Sequence, residues 1–323
     1  MKRLFYLVTI LFLLVANVHA QTALWTAQGW KTNFDKLAVQ PSEIMSGGPP
    51  KDGIPPIDDP KFVAISKADD LTERDPVIGL EINGDARAYP LRVMTWHEIV
   101  NDTVGGKPVA VTYCPLCNAA IVFDAEVNGK PHTFGTTGKL RNSDLIMYDR
   151  STESWWQQFT GTAIAGDYTG KTLKLLPARL ESWGEFKARH PKGKVLVPNN
   201  SGSRPYGRNP YVNYDIAARP FLFNGALPDN IPAMARVVVV RLDNKPPIIV
   251  SMDTVRKNGS YNASGVILRW REGQASALHS AKISEGREVG PITAQTNDGM
   301  DLPYDITFAF VAHAFFPKVT INQ

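Results

Sequence analysis

The run VAVTYCPLCNAAIVFDAEVNGK, residues 109–130, decides how the rest of the chain is read. Val109–Tyr113 is β-branched and aromatic, which suits a pleated, half-buried surface. Cys114-Pro115-Leu116-Cys117 follows. Ile121–Val127 then has strand character again and runs into Asn128-Gly129, a strong hairpin signal. These residues predict strand, corner, strand and tight turn, with Lys130–Thr133 on the returning side. A C-x-x-C at a β corner lacks the helix N-terminus that lowers a cysteine pKa in thioredoxin-like proteins. It is instead the shape of half a metal knuckle.

Cys114 and Cys117 are the only cysteines among 323 residues. A disulfide stabilises chiefly by closing a long loop, and this pair would close almost none. Metal binding or thiol exchange is therefore expected; a disulfide that merely pins a corner in a non-catalytic ligand- or protein-binding module is the alternative. With two thiolates and nitrogen or sulfur partners, copper or zinc is the expected metal. In a redox role, one thiolate would attack and the other would resolve the mixed disulfide. Further ligands must be His, Met, carboxylate or water. His97, in Met94-Thr95-Trp96-His97-Glu98-Ile99-Val100, is the first candidate. His132 lies nearby in sequence, and Met94 and Met147 are soft alternatives. For each of these four, a structural role is the plainer interpretation. His190, ahead of Pro191, suits a helix C-terminus.

A second concentration of chemistry follows the corner. Arg141, Asn142, Asp144, Tyr148, Asp149 and Arg150 cluster beside Trp155 and Trp156. Such a mixture can line a polar ligand pocket, or form ion pairs around an aromatic anchor. Residues 47–60 hold five prolines and three glycines, so they form neither helix nor inner strand. They suit a loop lying over a site, or a surface connector.

Composition bounds the rest. The chain is 43% hydrophobic and 20% charged, which excludes disordered, collagen-like and coiled-coil classes. Its 25 glycines and 24 prolines favour strands and loops over long helices. The net charge of +4 is too small to require nucleic acid. Residues 1–20 carry Lys2 and Arg3, an apolar stretch and Val18-His19-Ala20, the pattern of a cleaved leader. A periplasmic or secreted protein is expected, with no membrane span in the mature chain. A small molecule, a metal ion or a periplasmic protein is the expected partner.

The expected fold is mainly β with a few short helices. Residues 21–75 form an N-terminal Pro/Gly-rich segment, 76–200 a β lobe carrying the cysteines, 201–235 an irregular loop, and 236–323 a second β lobe. Helices are expected over Arg92–Asn101 and Ser182–His190, the latter with Ser182 and Glu185 as a capping box. Ile78–Asn83 parallels Val238–Asp243, and Val109–Tyr113 parallels Val266–Trp270. A diverged internal duplication is the expectation, with Cys114 and Cys117 opposite Arg271 and Gln274. No G-x-S-x-G, H-E-x-x-H, phosphate loop or dinucleotide fingerprint is present.

Five motifs together resemble the family of domain of unknown function 3179. They are GGPPKDGIP at residues 47–55, WHEIVND at 96–102, TYCPLC at 112–117, NSDL with MYDR over 142–150, and YGRNPY at 206–211. Members of that family often have glycine after the second cysteine, where this chain has Asn118. The resemblance implies an exported habitat and no established activity.

Overall fold

The computed structural model describes residues 20–323. The predicted leader, apart from Ala20, lies outside the described residues. Strand outweighs helix, at 37% against 16%, so the chain is mainly β with short helices. Several small sheets are arranged in a ring.

The corner forms as a hairpin of Lys107–Cys114 and Ala119–Asp124, with Cys114 opposite Ala119. Ile99–Val104 and Leu175–Leu176 complete that sheet. Every residue from Val109 to Phe123 is buried, which is why the run has no polar alternation. The strand expected to reach Val127 ends at Asp124, and Glu126–Val127 pairs separately with Lys130–Pro131 across the Asn-Gly turn. The helix expected over Arg92–Asn101 is shorter, Leu91–His97. Glu98 leaves it with φ 58, and the β-branched Ile99–Val104 joins the sheet instead. Trp183–Arg189 forms as expected, with Ser182 Oγ accepting from Glu185 N at 3.3 Å.

One order of elements occurs twice. In the first block, the hairpin Pro76–Ile82/Asp85–Pro90 leads into Leu91–His97 and then the three cysteine-sheet strands. In the second, Arg236–Val240/Ile248–Ser251 leads into the helix Met252–Asn258, then Ser260–Ala263, Val266–Trp270 and Ile292–Thr296. Each block also receives an antiparallel strand, a seven-residue helix and a parallel strand from downstream. These are Arg179–Ser182, Trp183–Arg189 and Lys194–Val197 in the first. They are Tyr304–Phe308, Ala309–Phe315 and Ile321–Asn322 in the second. The registers coincide: Tyr113 N donates to Glu98 O, and Trp270 N to Gly259 O. The recurrence is of topology and register; few side chains match across it.

A single core runs through both blocks. A satellite core gathers Trp25, Trp30, Tyr148 and Trp155, and residues 47–60 cross between the two as a strap. Asp52 N donates to Thr136 O and Gly47 N to Gly138 O. Lys51 Nζ lies 4.5 Å and 4.6 Å from the ring centres of Trp30 and Tyr148 and pairs with Glu153 at 2.8 Å. Gly138, at φ 69, permits this close approach: a Cβ there would stand 1.9 Å from Pro49 O.

Candidate metal centre

The corner is a turn held from three sides. Cys117 N donates to Cys114 O and Asn118 N to Pro115 O, with the proline presetting its own φ. Asn118 is left-handed at φ 52, where asparagine substitutes for glycine at little steric cost. Its side chain is not idle: Nδ2 donates to Ile306 O at 2.8 Å. Thr307 Oγ1 donates to Cys117 O at 2.7 Å, and Tyr214 Oη to Leu116 O at 3.0 Å. The second block and the irregular loop thus both grip the cysteine turn.

Cys114 and Cys117 are free and buried, and come within 3.7 Å of one another. A disulfide would bring the sulfurs to about 2.05 Å, so the corner is not pinned by a bridge. Two sulfurs bound tetrahedrally to zinc, each about 2.3 Å from the ion, stand about 3.8 Å apart. Both thiols point at Ser143 O, at 3.8 Å and 3.5 Å.

Asp144 completes the group. Its donor atom and the two sulfurs lie within 4.8 Å of one another, all three residues buried. Oδ2 accepts from Gln157 Nε2 at 2.6 Å and from Phe159 N at 2.8 Å. Oδ1 is buried with no hydrogen-bond partner among the described residues. A buried, unpaired carboxylate oxygen is costly, and here it belongs to the residue beside two thiols. Burial pushes the carboxyl up to about 6, against the pull of Phe159 N and Gln157. Burial likewise pushes both thiols up, Cys117 the further. An attacking thiolate needs the opposite shift, whereas a bound cation would supply the charge that keeps all three groups ionised.

Glu98 lies next to this group. It is buried, and burial followed by repulsion from Asp144 raises its carboxyl to about 8. With Cys114 it lines a cavity of about 140 Å³ whose walls include Gly47, Pro49 and Ile54 of the strap. The strap therefore lies over the site.

Of the residues singled out in the sequence, the structure brings Cys114, Cys117 and Asp144 together. His97 stands outside that group. Its Nδ1 is 2.7 Å from Pro55 O and its Nε2 is 2.8 Å from Tyr206 Oη, on whose ring it stacks. His132 is bound by Lys130 O and Tyr168 Oη, and Met94 and Met147 are core. The polar cluster after the corner disperses. Arg141 pairs with Glu43 at 2.7 Å, and Asn142 turns the hairpin at φ 54. Tyr148 donates to Asp52 at 2.5 Å. Asp149 accepts from Ser151, Thr152 and Trp156, and Arg150 pairs with Asp58 at 2.5 Å. The alternation from Leu145 to Arg150 sends Asp144 and Asp149 to different surroundings. Sequence reasoning missed Glu98 because histidine is the commoner ligand and stands one position earlier.

The family described as protein of unknown function (DUF3179) matches residues 51–319. The chain belongs to this family. Its matched span contains Glu98, Cys114, Cys117, Asp144 and Thr307. No curated protein and no solved structure matches the chain. Among the described residues, no helix is long and apolar enough to cross a membrane.

Proposed function

We propose that this member of the family is an exported metal-binding protein whose ion is held by Cys114, Cys117 and Asp144. The observation that carries it is the buried meeting of two free sulfurs with the Asp144 carboxylate, one of whose oxygens has no hydrogen-bond partner among the described residues. Two thiolates and a carboxylate suit zinc better than copper(I), which prefers sulfur throughout. Three protein donors leave a fourth position for water or a ligand, the arrangement of catalytic rather than structural zinc sites. Thiol exchange is less well supported, because burial opposes ionisation of both thiols. The test is zinc uptake by equilibrium dialysis after chelator treatment. The wild type should bind close to one zinc per chain. Cys117→Ser should abolish uptake, and Asp144→Asn should weaken it at least tenfold. Equal uptake by a Cys114→Ser/Cys117→Ser double variant would refute the proposal.

A further inference from the structure

Asp144 is held by a residue that the second block grips. Its Oδ2 accepts from Phe159 N at 2.8 Å. The carbonyl of the same Phe159 accepts from Arg241 Nη2 at 2.6 Å. The Arg241 guanidinium also lies 4.7 Å from the centre of the Phe159 ring, within cation–π range. Arg241 therefore clamps Phe159 at its carbonyl and at its ring, and Phe159 in turn fixes one oxygen of Asp144. Asp305 holds the clamp: its Oδ2 stands 2.7 Å from Arg241 Nη2, and its side chain is fully buried.

Stability does not account for this pair. Arg241 Nε and Nη1 and Asp305 Oδ1 are buried with no hydrogen-bond partner among the described residues. A buried ion pair left so incompletely satisfied gains little over apolar side chains of the same size. The repeated topology does not require it either. Val77 matches Val237, because their partners Pro90 and Ser251 each precede the helix of their block. Glu81 then matches Arg241. Arg179 matches Asp305, since it pairs with Gly79 as Asp305 pairs with Val239. In the first block these two go separate ways: Glu81 lies 3.6 Å from His190, and Arg179 pairs with Asp301. The ion pair occurs in the block that reaches Phe159. Its second member also has an electrostatic use. Arg241 brings a positive charge within two hydrogen bonds of the Asp144 carboxylate, where it would repel a metal ion, and Asp305 offsets that charge.

We propose that Arg241 is a positioning residue of the metal centre: with Asp305 it fixes Phe159, and through Phe159 N it orients the Asp144 carboxylate toward the ion. This rests on the metal reading above. Removing an outer partner of a metal ligand typically weakens binding by about 10–100-fold. The test is zinc affinity, by competition with a chromophoric chelator, for the full-length protein and for Arg241→Met/Asp305→Leu, each with and without Asp144→Asn. The paired substitution leaves neither charge buried alone. It should weaken zinc at least tenfold while the urea unfolding midpoint is kept. In the Asp144→Asn background it should change zinc affinity less than twofold, because the group it positions is already altered. Unchanged affinity with Asp144 present would overturn the proposal. So would an equal loss in both backgrounds, which would assign the effect to the fold at large. Arg241→Lys keeps a charge opposite Asp305 but not the planar fork. It goes through the same cycle, with the same pattern expected, if the paired variant is unfolded by circular dichroism. Zinc binding that is insensitive to Arg241 refutes this proposal alone, whereas a wild type that binds no zinc refutes the metal centre and this proposal with it.

Discussion

At the scale of single residues, the centre assembles groups whose neighbours leave them unfinished. Asp144 has one carboxylate oxygen paired twice and the other, among the described residues, not at all. Glu98 is strained and unpaired, so its removal should relieve the fold. Glu98→Gly is expected to raise stability by about 1–2 kcal/mol, measured by urea unfolding, because it removes left-handed strain and a buried carboxyl. A loss of stability would mean that the side chain supports the fold instead. The cysteines, their corner and the turn residue Asn118 were legible in sequence, because strand propensity and turn chemistry are local. Asp144 was legible only as part of a charged run. Its separation from Arg141, Asp149 and Arg150 depends on strand alternation and on partners such as Gln157 and Glu43. Glu98 was hidden beside His97, since only a left-handed cap turns it toward the cavity.

At the scale of elements, the strap and the helix caps decide what the site can look like. Residues 47–60 announce themselves by proline and glycine, but what they cross is fixed by Thr136 and Gly138, far along the chain. Gly138→Ala forces a Cβ into the path of Pro49 at a left-handed backbone position. It should cost about 2 kcal/mol or more and make the strap a preferred site of limited proteolysis. A variant with unchanged stability and cleavage pattern would show that the strap can shift without loss. The helix Trp183–Arg189 was legible from its cap. Ser182→Ala should cost about 1 kcal/mol by loss of that cap, read in the same urea unfolding. The helix ending at His97 was overextended in sequence because the apolar pattern continues into Ile99–Val104, and only the reversal at Glu98 separates the two.

At the scale of the whole molecule, the two blocks are locked together around the cysteine turn. Asn118 and Thr307 cross between them directly, and Arg179 makes paired bonds of 2.6 Å and 2.7 Å to Asp301. Burial alone would raise the Asp301 carboxyl, but Arg179 and Gln295 outweigh it and hold it below its ordinary value of 3.8. A carboxyl depressed on folding contributes stability above its unfolded pKa, and that contribution disappears as pH falls through the folded value. Asp301→Asn should therefore lower stability by about 1 kcal/mol at pH 7. The difference from wild type should shrink as pH falls below about 4. A difference that persists unchanged at pH 2 would assign the effect to packing. The repeated element order was partly legible from two strand matches; the long-range pairings that complete each block were not, because pairing partners 64 to 107 residues apart leave no local signal.

The central claim is that two sulfurs and one carboxylate hold a metal. Zinc-loaded protein examined by X-ray absorption at the zinc edge tests it most directly. The account predicts two sulfurs at about 2.3 Å and oxygen or nitrogen donors at about 2.0 Å, with the sulfur shell lost in a Cys114→Ser/Cys117→Ser variant. A zinc ion with only oxygen and nitrogen neighbours, or no retained zinc, would contradict it.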